Sequence, residues 1–176
     1  SFVTVKGIYL DDGVCGDTLA GNRFVRVPRA MMIGGGRDNT ICDNHVEDCL
    51  IGIFMDARGT QWKQWNNPEA EPSWHFERKA EALGYREPPW ADRYPRLARM
   101  MQEEPYEPLF NVVRNNSFVN TPDPIRFNPN FLPYLHKADS LFRDNVCVVA
   151  RPGVKMTPDT LGVRGFSYEN STIFTP

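Results

Sequence analysis

Apolar residues alternate with other residues in three short segments near the start of the chain. The segments are residues 7–11, 30–34 and 52–56, and their starts lie 23 and 22 residues apart. Alternation of this kind is typical of β-strands that bury one face. We therefore predict that the alternating apolar residues point inward and stack on one another: Ile8 and Leu10, Met31 and Ile33, Ile53 and Met55.

A second series of similar segments lies between the first ones. Residues 18–24 match residues 40–46 at an offset of 22, which places Asn22 and Asn44 in equivalent positions, and Asn116 follows later. Asparagine tolerates left-handed backbone angles, and its amide can bond to an asparagine above and below it. The repeat therefore predicts a stack of asparagines at one corner of the fold.

The residues inside each repeat distinguish between two kinds of architecture. A period of about 22 residues fits a leucine-rich repeat or a coil of short β-strands. Leucine is sparse here, and Gly, Asn and Asp separate stretches of β-branched and aromatic residues. The repeat therefore favours short parallel strands joined by tight turns.

These inward stacks and the asparagine positions resemble the pectate-lyase-like superfamily, over residues 3–59 and 111–120. The resemblance implies an all-β fold, a right-handed parallel β-helix with coils of about 22 residues and a partly helical, Trp-rich insertion. It also implies a carbohydrate-active bacterial protein that is secreted or periplasmic. The chain opens in an apparent strand, which suggests a fragment that associates with the missing remainder of its own chain.

The repeat stops after Gly59, and residues 60–110 have a different composition. This stretch contains every tryptophan of the chain and two helical patterns, one of which ends at Gly84 and the other at Pro105. We predict β-helix coils over residues 1–59, an insertion over 60–110, and further coils with a C-terminal tail over 111–176. In the tail, Asn170 is a further candidate for the asparagine stack.

Charge and hydropathy exclude several classes of partner. The 20 Lys and Arg residues nearly balance the 22 Asp and Glu residues, so no basic face for nucleic acid is indicated. No apolar run is long enough to span a bilayer. The expected partner is a polysaccharide or an oligosaccharide. The four cysteines favour buried thiols over a disulfide scaffold, and zinc-site spacing is absent.

Acidic and basic residues follow the same strand in successive repeats. Asp11 and Asp56 occupy equivalent positions two coils apart, or roughly 9.6 Å between backbones, with the glycines of residues 34–36 between them. Inverting glycosidases hold two carboxyl groups about 6.5 to 9.5 Å apart. We therefore predict a glycoside hydrolase without a cofactor. The candidate catalytic residues are Asp11, Asp12, Asp56 and Arg58, and the candidate substrate-binding residues are Arg37, Trp62, Trp65, Trp74, His75 and Trp90.

Two alternatives remain open at this point. A polysaccharide lyase would use Arg58 as the base and hold Ca²⁺ at Asp11 and Asp12. The Gly-His-Gly motif of polygalacturonases and the Trp-Ile-Asp-His motif of pectate lyases are both absent. A non-catalytic glycan-binding or adhesin protein would need aromatic rings and polar groups, but no pair of acids across a gap.

Overall fold

The computed structural model describes residues 5–70, 72–135, 141–151, 153–154 and 166–169 and contains three parallel β-sheets. The first sheet is formed by β1 (Lys6–Leu10), β4 (Arg29–Gly34), β7 (Ile51–Asp56) and β10 (Asp123–Phe127). The second is formed by β2 (Thr18–Ala20), β5 (Thr40–Cys42), β8 (Val112–Arg114) and β11 (Leu141–Arg143). The third is formed by β3 (Arg23–Val25), β6 (His45–Glu47), β9 (Ser117–Val119), β12 (Asn145–Val148) and β13 (Phe166–Glu169). From β1 to β12 consecutive strands lie in the three sheets in turn, and three such strands form one repeat unit; β13 pairs with β12 in the third sheet.

Strand register confirms the repeat of about 22 residues. Ile8 pairs with Met31 and Met31 with Ile53 in the first sheet, and Leu19 pairs with Ile41 in the second. The predicted inward residues lie in or against one apolar core between the sheets, where Met31 and Ile53 are fully buried. All four cysteines are free thiols. Those of Cys42, Cys49 and Cys147 are buried, and that of Cys15 is exposed.

The asparagine stack is also confirmed. The side-chain amide nitrogen of Asn22 donates to Oδ1 of Asn44 at 3.0 Å, and that of Asn44 donates to Oδ1 of Asn116 at 2.9 Å. Asn116 donates in turn to Oδ1 of Asn145 at 2.9 Å, a member that the sequence did not suggest. The other candidate, Asn170, lies outside the described residues.

The α-helices lie between β7 and β8, within the predicted insertion. The α-helices are α1 (Lys63–Asn66), α2 (Phe76–Ala82), α3 (Trp90–Arg93) and α4 (Pro95–Ala98). Short 3₁₀ helices cover Arg58–Thr60, Met100–Gln102 and Pro129–Tyr134. No helix in the described ranges is long and apolar enough to cross a membrane.

The predicted fold class is wrong. Instead of an all-β, right-handed parallel β-helix, the molecule combines three parallel sheets with α-helices in an α/β-type arrangement, and it is not a clear single-handed solenoid. The physical reason lies in residues 58–102, where the alternating pattern gives way to helix-forming sequence. The repeat predicted how neighbouring strands pair, but this local pairing does not define the class of the whole chain.

Candidate functional site

The predicted acidic residues meet at the edge of the first sheet where β1 and β7 end. Asp11 and Asp12 form the turn after β1, and Asp56 is the last residue of β7. Arg58 begins the short 3₁₀ helix that follows β7, which returns its side chain over the edge. We call these residues, together with Tyr9, the Arg58 cluster.

Arg58 and Asp56 form the buried half of the Arg58 cluster. Nη2 of Arg58 donates to Oδ2 of Asp56 at 2.7 Å, and Nε lies 3.0 and 3.1 Å from the two carboxylate oxygens. The exposed fractions of the two side chains are 10% and 7%. These three charge-assisted hydrogen bonds hold the carboxylate, so Asp56 faces the guanidinium group and not the solvent.

The other end of the guanidinium group reaches the turn after β1. Its Nη1 atom donates to the Tyr9 hydroxyl at 2.6 Å, to Asp12 at 2.8 Å and to Asp11 at 3.0 Å. Asp11 remains the most accessible carboxylate, with 57% of its side chain exposed. The three carboxylates therefore surround a single guanidinium group, and the cluster carries a net charge of −2.

Glycines make room for the arginine. A Cβ atom on Gly34 would lie 3.0 Å from the guanidinium carbon of Arg58, and one on Gly35 would lie 2.9 Å from its Cγ atom. The sequence predicted that these glycines keep a space open between the carboxylates. The structure fills that space with the Arg58 side chain.

The electrostatics favour the charged forms of Asp11 and Arg58 at neutral pH. A hydrogen bond from Tyr9 is the main reason why the pKa of Asp11 lies below its ordinary value. Burial alone would lower the pKa of Arg58, but its hydrogen bonds with Asp56, Tyr9 and Asp12 raise it well above the ordinary arginine value. Arg58 is therefore unsuited to accept a proton, and Asp11 is unsuited to donate one.

Three of the predicted tryptophans form an aromatic wall beside the Arg58 cluster. The Trp62 ring lies 5.3 Å from the guanidinium carbon of Arg58 and 6.0 Å from the Trp74 ring. Trp74 packs on Trp65 at 5.7 Å, and Trp65 lies directly against Gly13 in the turn after β1. The insertion therefore packs against the edge of the first sheet.

Three other predicted site residues lie elsewhere. Arg37 is buried and donates to the backbone carbonyl of Glu103 at 2.9 Å, so it anchors the end of the insertion. His75 precedes α2 with a left-handed backbone angle and lines a small cavity with Tyr106. Trp90 is the first residue of α3, and its ring packs on Tyr94, which follows that helix.

Sequence reasoning missed Tyr9, whose hydroxyl group bridges the cluster. Its outward position in β1 was visible, but a tyrosine on a strand surface carries no distinctive signal. It also missed a second stack of polar side chains. Oδ1 of Asn39 accepts from the Asp17 backbone at 3.0 Å, and Oδ1 of Asn111 accepts from the Asn39 backbone at 3.1 Å. The signal was present, since these three residues immediately precede β2, β5 and β8.

Comparisons with known proteins give no match for this chain. No family model, no curated protein and no solved structure matches it. Within the described part of the chain, no group of three or more His, Cys, Asp or Glu side chains is arranged to hold a metal ion. The resemblance to the pectate-lyase-like superfamily and the Ca²⁺ alternative both stay predictions.

Proposed function

We propose that this protein recognises a polysaccharide or an oligosaccharide at the Arg58 cluster and acts there as a binding protein. The observation that carries the proposal is the position of Arg58 between the carboxylates of Asp11 and Asp56. An inverting glycosidase needs that space for water and substrate. The guanidinium group occupies that space with five side-chain hydrogen bonds to Asp11, Asp12 and Asp56, which hold the three carboxylates in fixed positions.

Fixed carboxylates suit sugar recognition. An ionised aspartate accepts hydrogen bonds only, and sugar hydroxyl groups are donors that form strong bonds with it. Asp11 and Asp12 are accessible, with 57% and 36% of their side chains exposed. The Trp62 and Trp74 rings beside them supply apolar surface for the C–H groups of a sugar.

The hydrolase prediction requires a carboxyl group that donates a proton. A general acid needs a raised pKa, whereas the pKa of Asp11 is lowered. The lyase alternative requires a deprotonated Arg58, and hydrogen bonds with acidic partners oppose that state. Both reactions stay predictions, and the same experiment addresses them.

The test is affinity electrophoresis against a panel of polysaccharides, with reducing ends and absorbance near 235 nm followed in parallel. We expect retarded migration on at least one polysaccharide without new reducing ends. The double variant Asp11→Asn, Asp12→Asn should lose most of the retardation. Asp43→Asn is the matched control, because Asp43 is an exposed carboxylate directly after β5 with one weak ion pair.

Three results would overturn the proposal. New reducing ends that depend on Asp56 would assign a hydrolase, and a rise in absorbance near 235 nm would assign a lyase. Retardation that survives the double variant unchanged would remove the Arg58 cluster from recognition.

A further inference from the structure

A large cavity lies at the other end of the insertion. It has a volume of about 630 Å³ and lies between the turns after β1 and β4 on one side and helices α3 and α4 on the other. Residues 15–17, Arg37 and Asp38 form one wall, and residues 90–100 supply most of the other. The cavity is large enough for several sugar rings and is distinct from the Arg58 cluster.

Two aromatic rings form a platform in this cavity. Trp90 and Tyr94 lie one helical turn apart in sequence, and their rings stack with centroids 6.5 Å apart and an interplanar angle of 26°. They are exposed to 45% and 44%, which is unusual for large aromatic side chains. Exposed, nearly coplanar rings in a concave surface suit the apolar face of a sugar.

The arginines that line the cavity outnumber the acids. Arg96 lies 2.9 Å from Asp38, Arg99 lies 3.2 Å from Glu103, and Arg37 contacts both carboxylates. Within the described ranges no carboxylate pairs with Arg93, whose guanidinium carbon lies 5.8 Å from the Tyr94 ring centre. Arg93 therefore places a positive charge without an ion pair beside the aromatic platform, while the carboxylate of Asp17 lies in the other wall of the cavity.

Two smaller cavities lie between this cavity and the Arg58 cluster. The first has a volume of about 360 Å³, and Cys15 and Trp90 line both it and the large cavity. Gly13 and Lys79 line both this cavity and the second one. The last cavity, of about 230 Å³, reaches Asp12. We call these three neighbouring cavities the groove; Asp12 and Lys79 line one end of it, and Arg93 lines the other.

From this arrangement we infer that the groove binds an acidic oligosaccharide, with a sugar ring on Trp90 and Tyr94 and its anionic group at Arg93. The inference rests on the proposed function for the class of ligand, but it concerns different residues. A uronate carboxylate and a sulfate ester supply the same charge at this point, so both are anionic sugars in this sense. The negative charge of the Arg58 cluster directs the anionic group to the opposite end of the groove.

The test measures the Kd of the intact chain by isothermal titration calorimetry with three ligands: trigalacturonate, its fully methyl-esterified form, and a sulfated galactose trisaccharide. We expect an anionic ligand to bind about tenfold more tightly than the ester. Arg93→Gln should remove that preference and leave the affinity for the ester unchanged. Trp90→Ala should weaken all binding, and Arg86→Gln is the matched control, because Arg86 is an exposed arginine of the same insertion outside the cavity walls.

The outcomes separate the two proposals. Preference for trigalacturonate or for the sulfated sugar identifies which anionic group the site takes, and either supports the inference. Equal affinity for charged and esterified ligands, or a preference that survives Arg93→Gln, would overturn it. If binding depends on Arg93 but is unaffected by Asp11→Asn, Asp12→Asn, the proposal for the Arg58 cluster fails while this one stands.

Discussion

Single hydrogen bonds control the charge of the Arg58 cluster, and Tyr9 provides a way to test this. The hydrogen bond from Tyr9 is the largest cause of the lowered pKa of Asp11. Tyr9→Phe should therefore move the pKa of Asp11 upward, toward the ordinary value of 3.8. A titration of the Asp11 carboxyl carbon by NMR measures the change, and an unaltered pKa would contradict the hydrogen-bond assignment.

The same shift determines how the cluster responds to pH. Because the pKa of Asp11 is lower in the folded protein than in the unfolded chain, its stabilising contribution is complete above the unfolded value. The contribution is lost as the pH falls through the lowered pKa of the folded state. Acid unfolding of Tyr9→Phe should therefore depend less on pH in the range just below 3.8 than acid unfolding of the wild type.

Asp56 should matter for stability as well as for binding. Its carboxylate is buried against Arg58, and removing one partner of a buried ion pair leaves the other without compensation. Asp56→Asn should lower the free energy of unfolding by about 3 kcal/mol, as measured by urea denaturation. Asp43→Asn, at an exposed position, should change it by less than about 0.5 kcal/mol. Equal effects would contradict the buried pair.

At the scale of elements, the asparagine stack joins repeat units that are far apart in sequence. Oδ1 of Asn116 accepts from the backbone and the side chain of Asn44, and its amide nitrogen donates to Ile41 and Asn145. Asn116→Ala would leave several of these buried groups unpaired, which costs about 3 kcal/mol. Thermal unfolding measures the loss. Asn115→Gly is the control, because Asn115 is exposed and has a positive φ of 54° that glycine adopts freely.

The strands and the asparagine stack could be predicted because both follow from a fixed repeat. Alternating residues must share a face of a strand, and equivalent residues must lie side by side when parallel strands pair. Gly7 departs from this rule. The alternation predicts that it faces outward, yet a Cβ atom there would lie 2.8 Å from the Phe24 ring of the core. The bend where a unit enters the first sheet is invisible in a pattern of period two.

The site was harder to predict, because its geometry depends on how far and in which direction the long arginine side chains extend. Sequence spacing brought Asp11 and Asp56 to one edge, but it did not show that Arg58 turns back between them. Arg37 occupies the equivalent edge of β4 and instead turns toward Glu103. The two arginines have similar positions and different roles, because Arg58 binds the carboxylates of the turn after β1 and Arg37 binds the insertion.

At the scale of the whole molecule, Arg37 ties the insertion to the sheets. It donates to the Glu103 carbonyl at 2.9 Å and contacts the Glu103 carboxylate at 3.2 Å. Arg37→Met should increase amide hydrogen exchange across residues 90–105, because the anchor is buried. Arg99→Met is the matched control, since Arg99 pairs with the same carboxylate from an exposed position, where ion pairs contribute about 0 to 1 kcal/mol. Equal exchange in the two variants would contradict the anchoring role.

The insertion has a consequence for how the chain unfolds. Stacked repeats that touch only their neighbours behave as a one-dimensional array, in which end units fray independently of the middle. Here Trp65 of the insertion rests on Gly13 of the first unit, Arg37 of the second unit holds Glu103, and the chain enters the insertion directly from the third. The insertion therefore contacts or continues all three units, and they should unfold in a single cooperative transition.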